Sequence, residues 1–151
     1  KNEAVPVKQE QSGNREAVAY GRDLPVSTKH AIAVCNFIRN KHVDKSISLL
    51  EDAEKMKIAI PMRGEIPHRR GMMSGRYPVN TIVQFIRLLK SLKSNAIANE
   101  IELEKHKIFC KADVASRPYK RFGARRFKRT NVTLKLMPIT KTIQKEIKNG
   151  R

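Results

Sequence analysis

Apolar residues recur along this chain at two spacings, and the switches between them divide it into elements. From 14 to 20 the alternation has period two, with Val18 and Tyr20 on one face, and predicts a short strand. Gly21, Asp23 and Pro25 then predict a turn. Ser27 or Thr28 offers a hydroxyl that accepts from a free backbone N–H in the first turn of a helix. Ile32, Cys35 and Ile38 follow at helical spacing beside Ala31 and Val34, so the first helix is predicted to run to about Asn40. A second is predicted over 43–55, with Val43, Ile47 and Leu50 on its apolar face and Asp44, Glu51 and Asp52 on or near the solvated one. Pro78 suits the first position of a third helix. Over 79–99 Ile82, Ile86, Leu89, Leu92 and Ala96 form one stripe, while Arg87, Lys90, Ser91 and Ser94 stand off it.

The spacing then returns to two. His106, Ile108, Cys110, Ala112 and Val114 alternate with Lys105, Lys107, Phe109, Lys111 and Asp113, and Val132, Leu134 and Leu136 alternate with Thr133, Lys135 and Met137 further on. Two amphipathic strands joined by a long connection predict a hairpin over 105–137. Arms of about 15 residues at roughly 3.3 Å each would reach on the order of 50 Å. Pro138 ends the second strand. The fold class expected is α+β: three helices with a small antiparallel sheet and a long protruding β-hairpin, in one domain over 14–137. Residues 1–13 lack periodicity and are expected to form a flexible N-terminal extension, and 138–151 a basic C-terminal tail. Between the second and third helices, 56–77 holds Pro61, Gly64, Pro67, Gly71 and Gly75, which rule out a long helix or central strand. A structureless loop of that length is usually functional or disordered.

Charge changes the picture. The 151 residues carry 32 Lys and Arg against 14 Asp and Glu, a net charge of +18. Self-repulsion of that size disfavours a compact free protein unless a polyanion neutralises it. No acid lies between Glu65 and Glu100, or between Asp113 and Glu146, so the positive charge is concentrated in two tracts. The sharper of them is SRPYKRFGARRFKRT at 116–130, at the far end of the predicted hairpin. Arg117, Lys120, Arg121, Arg125, Arg126, Lys128 and Arg129 repel one another there, and become favourable when phosphates surround them and counterions are released. Tyr119, Phe122 and Phe127 offer rings for unpaired bases, and Gly123 beside Ala124 allows close backbone approach. The second tract, in 56–77, carries Arg63, His68, Arg69, Arg70 and Arg76, with Tyr77 just before the N–H groups that open the third helix.

Other chemistry finds little support. His30, His42, His68 and His106 show no pairing with cysteine or acid at metal spacing, and no cofactor motif appears. Asp52 and Glu54 are two apart and do not share a helix face, and no nucleophile motif is present, so an enzyme is not expected. Cys35 and Cys110 read as two separate buried thiols, which suits a reducing compartment. No apolar run approaches the roughly 18 residues of a membrane span, and the basic tip lacks the broad apolar face of a membrane-surface helix.

Taken in order, VSTKHAIAVCNFIRNK at 26–41, GRYP at 75–78, SNAIAN at 94–99 and RPYKRFGARR at 117–126 resemble the universal large-subunit ribosomal protein L-twenty-two family, called L-seventeen in eukaryotes. The likeness covers 20–137, and HRRG at 68–71 resembles the longer archaeal and eukaryotic form. It departs at Glu100, Glu102 and Glu104, where the family often has a glycine-containing link. It departs again at Lys111-Ala112 and Asn131-Val132. The resemblance implies a cytoplasmic protein of the large ribosomal subunit that binds its rRNA and supports assembly. Neighbouring ribosomal proteins near the tunnel exit and the nascent polypeptide are the other partners it implies. Lys29, His30, Arg63, His68, Arg69, Arg70, Arg76, Tyr77, Arg87, Lys90 and Lys111 are the rRNA contacts expected from the domain and stem. The seven tip cations add to these, while Tyr119, Phe122, Gly123, Ala124 and Phe127 are expected to line the exit tunnel. A free-standing DNA- or RNA-binding regulatory protein is the alternative.

Overall fold

In the computed structural model, which describes residues 16–121 and 123–139, helix α3 (Val79–Ala98) carries the largest share of the core. All five residues of its expected stripe are buried, and Thr81 and Phe85 widen it. Pro78 is one step earlier than expected: it precedes α3, and its carbonyl accepts from the N–H groups of Thr81 and Ile82. Helix α1 (Thr28–Ile38) buries Ala31, Val34, Cys35 and Ile38. Ile32, expected on that face, is 45% exposed, because the buried stripe is centred on 31, 34/35 and 38 and position 32 falls to its side. Helix α2 (Val43–Glu54) buries Val43, Ser46, Leu50 and Ala53, and Ile47 is half-buried against the core.

Strand β1 (Val18–Leu24) is followed after α1 and α2 by the short β2 (Ile60–Pro61) and β3 (Gly75–Arg76). After α3 come β4 (His106–Val114) and β5 (Thr130–Pro138). The three long strands form an antiparallel sheet in the order β1-β5-β4. Ala19, Leu134 and Cys110 stand side by side across it. Helices α1 and α3 lie on β4 and β1, over the face that buries Ala19, Ile108, Cys110, Val132, Leu134 and Leu136. Helix α2 packs on α3. The opposite sheet face carries the exposed Tyr20, Phe109 and Met137, as antiparallel sheets covered on one side do.

Four expectations are corrected. The turn expected at 21–25 is delayed, because β1 runs to Leu24 with Gly21 opposite Val132 and an irregularity after it. A Cβ on Gly21 would stand 2.8 Å from side-chain carbons of both Leu24 and Leu88, so glycine lets α3 close onto the strand. The hairpin arms pair over nine residues each, from His106↔Pro138 to Val114↔Thr130, about 30 Å. This is shorter than expected, and β5 is also the partner of β1, so the paired arms belong to the domain's own sheet. The 56–77 segment is not structureless: β2 pairs with β3, and Arg69 bridges to Met72 further out. Finally, Cys35 and Cys110 are not separate thiols. Helix α1 lies over β4, bringing residues 75 apart in sequence to a Cα–Cα distance of 5.3 Å, where they form a disulfide inside the core. The extension expected over 1–13, and the tail from 140 onward, lie outside the described residues.

Candidate nucleic-acid interface

Past the last paired residues, the chain of 115–129 leaves the sheet and folds back on itself. The Ala115 N–H donates to the Arg129 carbonyl, that of Phe127 to Pro118 and that of Lys120 to Arg125. The Gly123 N–H closes the end by donating to the Lys120 carbonyl. Gly123 takes φ of 68°, a left-handed conformation that side chains strain, and nothing lies within 4 Å of where its Cβ would be. Within the chain its role is the turn, and the open space around it leaves the backbone accessible. Phe122, expected to line a tunnel, lies outside the described residues.

The tip is almost wholly cationic and exposed. Among the described residues Arg117, Lys120, Arg125, Arg126, Lys128 and Arg129 have no carboxylate partner, whereas Lys111, on the stem, pairs with Asp113 at 3.0 Å. The aromatic rings are turned onto their own cations. The Arg126 guanidinium lies 4.3 Å from the Tyr119 ring centre and also donates to its hydroxyl. Phe127 has Lys120 at 5.2 Å and Arg129 at 5.7 Å. Exposed contacts of this kind contribute about 0.5–1 kcal/mol each, small enough for a base or phosphate to displace. Tyr119 and Phe127 remain 62% and 43% exposed.

At the base of the tip, two buried hydroxyls tie it to α1. Thr28 Oγ1 and Thr130 Oγ1 lie 3.0 Å apart, and Thr130 Oγ1 donates to the Val26 carbonyl at 3.1 Å. Arg117 donates to Thr28 Oγ1 at 3.4 Å. Periodicity gave no sign of these threonines. Around this junction the structure gathers His30 on α1, Arg76 on β3 and Lys128 on the returning tip, with Lys29 exposed beside them. Ser27 makes no side-chain cap, and the first turn of α1 holds no acid, so its N–H groups add to the positive potential. Burial first, then Arg76 and Lys128, hold the His30 imidazole below its ordinary value.

That shift has a sign. A histidine depressed by folding contributes stability above its unfolded value, near 6.5, and loses it as pH falls through the folded one. Were a phosphate to bind at the junction, it would reverse the local field and raise the group, so that binding would take up a proton. Calorimetry of RNA binding near pH 6, in buffers of different ionisation enthalpy, is expected to show this uptake. His30→Gln should abolish it, and equal uptake in both proteins would place the proton elsewhere.

The remaining expected contacts are dispersed. Arg63, His68, Arg69 and Arg70 stand exposed on the excursion closed by β2 and β3, and Arg69 stacks on Tyr77 at 5.6 Å. Arg76 donates to the Ile66 carbonyl, which braces that excursion. Arg87 and Lys90 are exposed on α3. Apart from Asp113 on the stem, these described acids pair away from the tip: Asp44 binds Lys93 at 2.6 Å, and Glu16 faces Lys135. Among the described residues no group of three His, Cys, Asp or Glu could hold a metal, and no helix is long and apolar enough to cross a membrane.

The family model described as Ribosomal protein L22p/L17e matches residues 19–137. The Large ribosomal subunit protein uL22 of Archaeoglobus fulgidus is 35% identical over 96 residues, covering 60% of this chain and 62% of that protein. Its namesake in Methanoregula boonei is 34% identical over 99 residues, covering 61% and 64%. That of Ignicoccus hospitalis is 33% identical over 129 residues, covering 80% and 81%. The chain thus spans a little under two thirds of the length of the first two relatives and four fifths of the third.

Proposed function

The chain belongs to the ribosomal protein L22p/L17e family, and on that premise we propose that it is a structural constituent of the large ribosomal subunit. It binds large-subunit rRNA, supports assembly, and presents its hairpin tip as part of the wall of the nascent-peptide exit tunnel. It works in translation as a scaffold and not as an enzyme. Its partners are the rRNA, the ribosomal proteins beside it near the tunnel exit, and the passing nascent polypeptide. The observation that carries this reading is the tip: a folded end where, among the described residues, Arg117, Lys120, Arg125, Arg126, Lys128 and Arg129 have no carboxylate partner, continuous through Arg117 and Lys128 with His30 and Arg76. Phosphate neutralises such a surface, and water does so poorly.

The experiment separates anchoring from tunnel lining. Because the Phe127 N–H already bonds the Pro118 carbonyl at 2.9 Å, residues 119–126 can be replaced by a two-residue Asn-Gly turn. The domain is expected to stay folded, and the shortened protein to co-sediment with large subunits. Acidic or bulky nascent segments should then pass with altered elongation, since those groups meet the tip most strongly. A folded variant that fails to enter subunits would make the tip an assembly element and overturn this division of roles.

A further inference from the structure

Between α1, the turn that follows it and β2 is a crevice of about 320 Å³ lined by Ala33, Asn36, Phe37, Arg39, Lys41 and Pro61. Helix α1 supplies the first three, the turn after it the next two, and β2 the last. The wall formed by the turn is fixed. The Asn40 N–H donates to the Ile108 carbonyl, and the Ile108 N–H to that of Lys41, each at 3.0 Å. The Arg39 guanidinium donates to the Cys110 carbonyl at 3.1 Å and lies 6.0 Å from the Phe109 ring. Phe37 is only half-buried, and the Lys41 ammonium sits 4.0 Å from its ring centre. No carboxylate lines the crevice.

From this arrangement we infer that the crevice is a second RNA site, which takes one unpaired nucleotide. The base stacks on Phe37 between Ala33 and Pro61, Asn36 meets the base edge, and the phosphate lies against Arg39 and Lys41. The residue types match the ligand: an aromatic face for any base, a carboxamide with two donors and an acceptor, and paired cations at the rim. Lys41 must leave the ring for the base to enter, and the surroundings favour its leaving. Burial and the neighbouring Lys45 hold its ammonium below the ordinary lysine value, so a phosphate offers it a better position than Phe37 does. An acidic protein segment would satisfy the cations, but would leave the ring and the carboxamide without the flat polar partner they suit.

The inference rests on the RNA-binding reading above, and its test keeps the two apart. The full chain is titrated with the pentanucleotide AAAAA and with an abasic pentamer of equal charge, while the Phe37 ring and Lys41 signals are followed by NMR. Both oligomers are expected to bind and to move Lys41, but only AAAAA should give base-to-ring NOEs and stacking ring-current shifts at Phe37. Phe37→Leu is expected to cost AAAAA about fivefold or more in affinity, the low end for one base–aromatic stack, and to leave the abasic pentamer unchanged. Phe37→Tyr, which keeps the ring, should restore it and guards against a folding artefact. No such signal at Phe37 at saturation, or equal losses for both oligomers, overturns the crevice site while the tip reading stands. Failure of both oligomers to bind at low salt overturns the RNA reading itself. Cross-links from 36–41 to a protein in assembled subunits, with no such signal from RNA at Phe37, would assign the crevice to a protein partner instead.

Discussion

Replacing Arg125 and Arg126 by alanine should flatten the salt dependence of rRNA binding. Each phosphate contact contributes about 0.7–0.9 to the slope of log affinity against log salt, so losing two removes about 1.4–1.8. Between 50 and 200 mM salt the double variant should therefore lose roughly tenfold less affinity than the parent. Both residues are exposed and lack carboxylate partners among the described residues, so the change leaves no buried charge behind. Among the described contacts, the free protein loses the stacking of Arg126 on Tyr119 and its hydrogen bond to the Tyr119 hydroxyl. The control is Lys55→Ala with Lys57→Ala. These cations lie at the end of α2, where Lys57 faces Asp52 at 3.8 Å, and the slope should not move. Filter binding of domain-sized rRNA fragments over a salt series reads both. An unchanged slope in the Arg125 and Arg126 variant would take the tip out of the electrostatic footprint.

Phe85→Ala should have the largest effect on the free protein. Phe85 is fully buried at the centre of the α3 stripe, among the largest side chains without solvent contact. Truncating such a phenylalanine costs about 3–5 kcal/mol, from lost transfer energy and the cavity left behind. Small domains hold only about 5–15 kcal/mol in all, and a net charge of +18 lowers what is available at low salt. The variant is therefore expected to be largely unfolded at low ionic strength, and to regain helical circular dichroism as salt screens the repulsion. Excess rRNA fragment should also restore it, because a ligand that binds only the folded state stabilises by mass action. Urea melts with and without salt measure this directly. A loss below about 1 kcal/mol would mean that the cavity collapses and that α3 does not anchor the core.

The helices and strands were legible wherever one face is buried along a whole element. Ile82, Ile86, Leu89, Leu92 and Ala96 recur every three to four residues, and every one of them is buried. Ile108 and Cys110 on one arm, and Val132, Leu134 and Leu136 on the other, alternate and are buried as the pattern predicts. The tip was legible for a different reason. A run of cations without acids is a property of the chain itself, and among the described residues Arg117, Lys120, Arg125, Arg126, Lys128 and Arg129 keep no carboxylate partner in the fold. Ile32 fails the same test because periodicity alone does not say on which residue a narrow stripe is centred. The packing of α1 on β4 decides that.

What tertiary structure alone decided are the meetings of residues distant in sequence. Cys35 and Cys110 are 75 residues apart, and Thr28 lies 102 from Thr130. No local pattern encodes either pair. Each exists because β5 is the central strand, which sets the register of β1 and β4 and so the line along which α1 lies. The same packing assembles the crevice, since Phe37, Lys41 and Pro61 come from three separate elements and none is a motif on its own. The aromatics of the tip could be read as free rings from sequence, but the fold-back places Arg126 on Tyr119, and Lys120 and Arg129 on Phe127. Composition and period thus determined the elements, the helical core and the site of unbalanced charge. The strand register decided which distant side chains share a wall, because pairing one strand fixes the faces of all its neighbours at once.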